Sequence, residues 1–93
     1  MKDDQRLKIY YTEGLAYEKK KSIEAINKFQ MSLQIIGSNK ENDLFLSTLY
    51  HLAMNEFKHK RYVEAIRNIN KIVDEGCYDK CVYELRGKVY LED

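Results

Sequence analysis

Few side chains in this 93-residue sequence are of types that do chemistry: two thiols, Cys77 and Cys81, two imidazoles, His51 and His59, and two runs of cations, Lys19-Lys20-Lys21 and Lys58-His59-Lys60-Arg61. The cysteines stand about one helical turn apart beside an expected helix start. In a chain with no signal peptide they read as reduced thiols rather than a disulfide. A zinc site needs further ligands, and His51 and His59 do not form a ligand-spaced pair, so both read as surface or half-buried side chains. No metal or cofactor is expected. The sequence has no Gly-rich phosphate loop, no activated Ser or Cys setting and no carboxylate pair outside solvated helix faces, so a non-enzymatic role is expected.

The elements that must position these groups are read from composition first. With 44% hydrophobic and 33% charged residues the balance is that of a folded domain rather than a disordered or membrane-embedded chain. The absence of Pro, the four Gly and the frequent Leu, Ile, Lys and Glu favour helices over a turn-rich sandwich or barrel. The expectation is one all-α domain over 1–93. Sixteen cations against 15 anions give a net charge of +1, so no global field drives the chain onto nucleic acid or an anionic membrane, and such binding would need a local patch. No window approaches the roughly 18 apolar residues of a membrane span, and a soluble, cytoplasmic chain is expected.

Glu24-Ala25-Ile26 recurs as Glu64-Ala65-Ile66, each followed one turn later by a large apolar residue, Phe29 or Ile69. Upstream lie Tyr10-x-x-Glu13-Gly14-x-x-Tyr17 and Leu49-x-x-Leu52-Ala53, and a third version, Tyr83-x-x-Arg86-Gly87-x-x-Tyr90, comes near the end. Periodicity and stop signals predict helices over 3–19, 22–36, 43–58, 62–74 and 79–91. Ser22 is a plausible N-cap, and Gly37 and Gly76 are expected as left-handed C-caps. The second helix is expected to bury Ile23, Ile26, Phe29, Leu33 and Ile36, and the fourth Ile66, Ile69, Ile72 and Val73. The apolar positions of the fifth, Val82, Leu85, Val89 and Tyr90, have no following helix to cover them. That helix is then a cap, a fragment of something longer, or a contact with a second copy in a homodimer.

This pattern resembles the tetratricopeptide repeat, a unit of about 34 residues in which a small residue on one helix admits a ring from the other. The resemblance implies about two and a half helix-turn-helix pairs in a right-handed solenoid, with repeats over about 3–36 and 43–74 and a capping helix over about 79–91. Departures are the missing Pro after the second helix of each pair, Glu13 and Arg86 in place of Leu, and Glu56 in place of an aromatic. The Gly37-to-Asp43 stretch lengthens the first unit.

The resemblance further implies that the first helix of each pair lines a concave face. It places there Lys8, Tyr11, Leu15, Glu18 and Lys19, then Ser47, Tyr50, Met54, Phe57 and Lys58, with Cys81, Glu84, Lys88, Leu91 and Glu92 from the last helix. The centre, Tyr11, Leu15, Tyr50, Met54 and Phe57, is apolar and aromatic with Lys8 and Lys58 beside it, and suits a partner helix or peptide. A Lys/Asn clamp for an acidic carboxylate, another use of this family, would need Lys and Asn where Leu15, Tyr50 and Met54 stand. The alternative for the strip is that its rings pack on a further segment of protein.

The basic runs, Lys19, Lys20 and Lys21 with Lys58, His59, Lys60 and Arg61, both fall in turns within a pair, and equivalent turns share an edge. The opposite edge holds Glu41, Asp43, Asp74, Glu75 and Asp79. Matching of charges to helix dipoles accounts for this distribution, and contact with anionic membrane, or less readily RNA, is the functional alternative. Within about 60 residues of the chain, the Gly37-Ser38-x-Lys40-Glu41 stretch and Leu49-Tyr50-x-Leu52-Ala53-x-x-x-Phe57-Lys58-x-Lys60-x-Tyr62-x-x-Ala65-Ile66 are similar to the cytosolic domain of the mitochondrial and peroxisomal fission adaptor family. That resemblance implies recruitment of a dynamin-type fission machinery. It also implies a place on the cytosolic face of those organelles wherever a tail anchor accompanies the domain. Neither that anchor nor the family's N-terminal arm helix is found in these 93 residues.

Overall fold

Apolar side chains recurring every three or four residues set the helices and decide which face of each turns inward. The computed structural model of the chain describes residues 2–92. Among them are five helices and no strand: α1 (Asp3–Lys19), α2 (Glu24–Ile36), α3 (Phe45–Lys58), α4 (Tyr62–Asp74) and α5 (Lys80–Glu92). Each packs on the next, and α3 also meets α5. The radius of gyration, 12.7 Å, is close to the roughly 12 Å of a compact domain of this length.

Three helices start later than the periodicity predicts, because polar groups ahead of them take the first backbone donors. Ser22 Oγ accepts the Glu24 N–H at 3.2 Å, so Ser22 stands before α2 instead of opening it. Asn42 Oδ1 accepts the Leu44 N–H at 2.9 Å, which holds Asp43 in a turn before α3. The Asp79 carbonyl accepts from Val82 and Tyr83, so Asp79 flanks α5, which then runs on to Glu92.

The helix ends hold a second difference. In α1 the Lys21 N–H bonds the Glu18 carbonyl and the Ser22 N–H the Tyr17 carbonyl. In α3 the same pair of bonds runs from Lys60 to Phe57 and from Arg61 to Glu56, and in α4 from Gly76 to Val73 and from Cys77 to Ile72. This is the Schellman closure, which needs a positive φ at its turning residue. Gly76 supplies it as expected (φ 85°), whereas Lys21 (φ 58°) and Lys60 (φ 64°) adopt it against a steric cost of about 1 kcal/mol each. Gly37 does cap α2, but with φ 59° and ψ −126° it lies outside the left-handed helical basin expected for it.

The core forms two clusters. Ala25, Ile26, Phe29 and Leu52 make the first, with Tyr11, Leu15, Tyr17 and Leu33 packed on it. Leu49, Ala53, Ala65, Ile69, Ile72, Val82, Leu85 and Val89 make the second. Helix α3 belongs to both, through Leu52 on one side and Leu49 and Ala53 on the other. Of the expected core, Ile23 (44% exposed) and Tyr90 (56% exposed) lie at the surface, and Leu33, Ile66 and Val73 are half-buried. Ile23 precedes the late start of α2, and Tyr90 faces away from the side of α5 that Val82, Leu85 and Val89 bury.

Small residues sit where helices cross closely. A Cβ on Gly14 would lie 2.7 Å from Cε1 of the fully buried Phe29 ring, while among the described residues nothing lies within 4 Å of a Cβ on Gly87. Alanine at these two helical glycines is therefore expected to act with opposite sign. Gly14→Ala should destabilise by about 1–3 kcal/mol because the trapped ring cannot give way. Gly87→Ala should stabilise by about 0.5–1 kcal/mol through helix propensity alone. Urea unfolding of the two variants beside the parent checks both signs.

Candidate partner-binding cleft

Helix α3 carries the cleft. Its half-buried Tyr50, Met54 and Phe57 recur along one face, and together with Lys58 they line a cleft of about 170 Å³ closed on the far side by Cys81, Glu84, Leu85 and Lys88 of α5. The apolar floor exists because all three α3 side chains pack against the second core cluster. Phe57 is braced by Tyr62 with ring centres 6.0 Å apart. Burial first, then the Cys81 thiol and more distant carboxylates, pushes the Tyr50 phenol above its ordinary range, so it stays a neutral hydrogen-bonding group. Cys77 and Cys81 are free thiols, Cys81 exposed.

The α1 residues expected on the same strip lie elsewhere. Tyr11 is tied into the core: its hydroxyl pairs with Ser47 Oγ, and its ring meets Phe29 and His51 edge-on at 5.9 and 6.1 Å. Leu15 packs on the first core cluster. Lys8 and Tyr11 line a separate, more polar cavity of about 620 Å³ with Asp4, Leu7, Thr12 and the loop Glu41–Leu44. The structure therefore brings together Tyr50, Met54, Phe57, Lys58, Cys81, Glu84 and Lys88. Leu85, read beforehand only as core, joins them, and Leu91 and Glu92 are not among the lining residues.

Behind the cleft is a polar joint that sequence reading missed. His51 Nδ1 donates to Glu18 Oε1 at 2.9 Å, and Asn55 Nδ2 donates to the same oxygen and to the His51 carbonyl, each at 2.7 Å. The His51 ring stacks on Phe29, centres 5.5 Å apart and 19° between planes. Glu18 directly precedes a basic run and His51 follows Tyr50, so only the apposition of α1 and α3 reveals the pair. The contacts Tyr11 to Ser47 and Glu18 to His51 advance together along both helices, so α1 and α3 run parallel. Their C-terminal turns, Lys19, Lys20 and Lys21 with Lys58, His59, Lys60 and Arg61, therefore lie at one end of the molecule. At the other end Lys40 Nζ meets Glu75 Oε1 at 2.8 Å and ties the α2–α3 loop to the end of α4.

On the opposite flank of α3, Glu56 is 1% exposed and accepts a hydrogen bond from Asn68 Nδ2 at 2.7 Å. Thr48 Oγ1 is buried with no partner among the described residues. Comparison of the chain with known protein families, with curated proteins and with solved structures found no match. Among the described residues no group of three His, Cys, Asp or Glu side chains is placed to hold a metal ion, and no helix is long and apolar enough to cross a membrane.

Burial raises the Glu56 carboxyl above its ordinary 4.5, and the Asn68 bond only partly opposes this. The folded state thus holds the proton more tightly than the unfolded chain. This contribution to stability is complete below about pH 4.5 and is lost as pH rises through the folded-state value. Glu56→Gln keeps an acceptor for Asn68 without the buried charge. It is expected to be more stable than the parent at pH 7, to lose that advantage at pH 4, and to flatten the pH dependence between. Denaturant midpoints at the two pH values test this, and an equal effect at both would refute it.

Proposed function

We propose that the chain is a helical-repeat interaction module that takes a partner helix or peptide in the cleft between α3 and α5. The observation that carries this reading is the convergence of half-buried, adaptable apolar side chains from α3 with a rim of Lys58, Glu84 and Lys88. Such a combination provides contact area at its floor and orientation at its edge. The repeat reading is supported by the matched closures of α1 and α3, with Lys21 and Lys60 in the same left-handed position, and by the Gly14 and Ala53 crossings onto α2 and α4.

Peptides selected from a displayed library of amphipathic helices are expected to lose at least about tenfold in affinity for a Met54→Lys variant, since a cation placed on the apolar floor must be desolvated. Its melting temperature should stay within a few degrees of the parent, because lysine keeps the length of Met54 and its methylenes still cover the second core cluster while the amine reaches solvent. Undiminished binding to that variant, or selection of no helical peptide, would sink the cleft. Tyr50→Ala and Phe57→Ala test it less cleanly, because both rings also cover core and their loss is expected to cost about 1–2 kcal/mol of stability.

A second reading rests on the parallel course of α1 and α3, which brings both basic turns to one end. That end would meet an anionic membrane surface by salt-dependent attraction. Cosedimentation with phosphatidylserine vesicles is expected at low salt and should be lost by about 0.3 M, where the screening length is only several Å. Lys20→Glu with Lys60→Glu should abolish it; absence of binding at low salt would discard the reading.

A further inference from the structure

The chain shows how it covers a Tyr-x-x-charge-Gly-x-x-Tyr helix face, and it carries that face twice. In α1 the face is Tyr10, Glu13, Gly14 and Tyr17. Helix α2 covers it with two adjacent residues: the Phe29 ring rests on the bare backbone of Gly14, and Lys28 Nζ lies 3.6 Å from Glu13 Oε1 and 5.5 Å from the centre of the Tyr10 ring. In α5 the equivalent residues are Tyr83, Arg86, Gly87 and Tyr90. Here Gly87 and Tyr90 are exposed, and the space a Cβ of Gly87 would enter is open.

The charge is inverted between the two copies. Glu13 becomes Arg86, and the cation that α2 brings to the Tyr10 ring is supplied on α5 by Arg86 itself, 5.1 Å from the centre of the Tyr83 ring. A helix like α2 would fit the Gly87 notch with its aromatic residue but would set its lysine against Arg86. A helix with a carboxylate at that position satisfies both features.

We propose that the outer face of α5, formed by Tyr83, Arg86, Gly87 and Tyr90, is a docking site for a partner amphipathic helix that presents a carboxylate immediately followed by a large apolar ring. The ring packs on Gly87 as Phe29 packs on Gly14, and the carboxylate pairs with Arg86. This face is separate from the α3–α5 cleft, which uses Cys81, Glu84 and Lys88 of the same helix, so either site can fail without the other.

The test uses two synthetic peptides: the Glu24–Ile36 sequence itself, and the same peptide with Lys28→Glu. Each is titrated to about 1 mM into the isotope-labelled protein, a concentration at which even millimolar affinity is visible in amide chemical shifts. The glutamate peptide is expected to shift Tyr83, Arg86, Gly87 and Tyr90 and to bind about three- to tenfold more tightly than the lysine peptide. Arg86→Glu should invert that preference. Gly87→Leu should fold, since the notch is open, and lose binding, whereas Met54→Lys should leave binding unchanged.

Absence of shifts at 1 mM overturns the proposal, as does equal binding of the two peptides or binding that survives Gly87→Leu. Sedimentation of the protein alone provides a further arm. Self-association that disappears in Gly87→Leu would assign the face to a second copy and overturn the partner-helix assignment.

Discussion

The Phe29 ring resting on the bare backbone of Gly14 is the contact on which the rest of the arrangement depends. Among its described residues α1 buries Leu7 and Gly14 and packs the half-buried Tyr11, Leu15 and Tyr17 on the first core cluster. Gly14 is the place where α2 approaches closely enough for a fully buried aromatic side chain to fill the crossing. One face of that ring is covered by His51, which in turn holds Glu18 of α1. One side chain therefore joins three helices: apolar contact on α1, its own backbone in α2, and a stacked imidazole on α3.

Helix α3 then relays this joint to the remainder of the fold. Its Leu52 faces the Phe29 cluster, and its Leu49 and Ala53 face α4 and α5. The cleft is a by-product of the same geometry. Tyr50, Met54 and Phe57 pack on the second core cluster with one side and line the cleft with the other. Under the proposed function, side chains in that position serve stability and recognition at once, which is why a substitution that changes polarity separates the two roles better than one that removes volume.

Two buried or strained features run against stability. Lys21 and Lys60 take a backbone conformation that glycine would adopt at lower cost, and Glu56 carries its carboxyl into the core with Asn68 as its hydrogen-bond partner. Both lie at or beside the turns that end α1 and α3. The Glu56 carbonyl itself accepts the closing bond from Arg61, so the buried carboxylate and the basic turn belong to one local structure. Natural chains tolerate such local conflicts where surrounding packing over-determines the backbone.

The helix inventory was legible because it depends on short-range periodicity. The recurrence of Glu-Ala-Ile, the glycines and the spaced tyrosines located five helices, with the bounds of α1 and α4 as observed, the starts of α2 and α3 displaced by the Ser22 and Asn42 side chains that accept the first backbone donors, and α5 beginning after Asp79, whose carbonyl accepts from its first turn. The close crossing at Gly14 was legible for the same reason: a small residue recurring opposite a large one signals approach of two helices. Half of the candidate cleft, Tyr50, Met54, Phe57 and Lys58, was placed on one face of α3 by what the repeat resemblance implies. Whether Tyr11 and Leu15 continue that face could not be decided locally, since it depends on how far α1 is drawn onto α2 and α3. In the tertiary structure both, half-buried like Tyr50, Met54 and Phe57, pack on the first core cluster with Tyr11 held by Ser47, and Leu85 rather than either of them lines the cleft. The Glu18, His51 and Asn55 joint, and the parallel course of α1 and α3 that sets both basic turns at one end, likewise arise between residues far apart in sequence. Periodicity determines which side of a helix is apolar; only packing decides which neighbour that side meets and which of its residues remain at the surface.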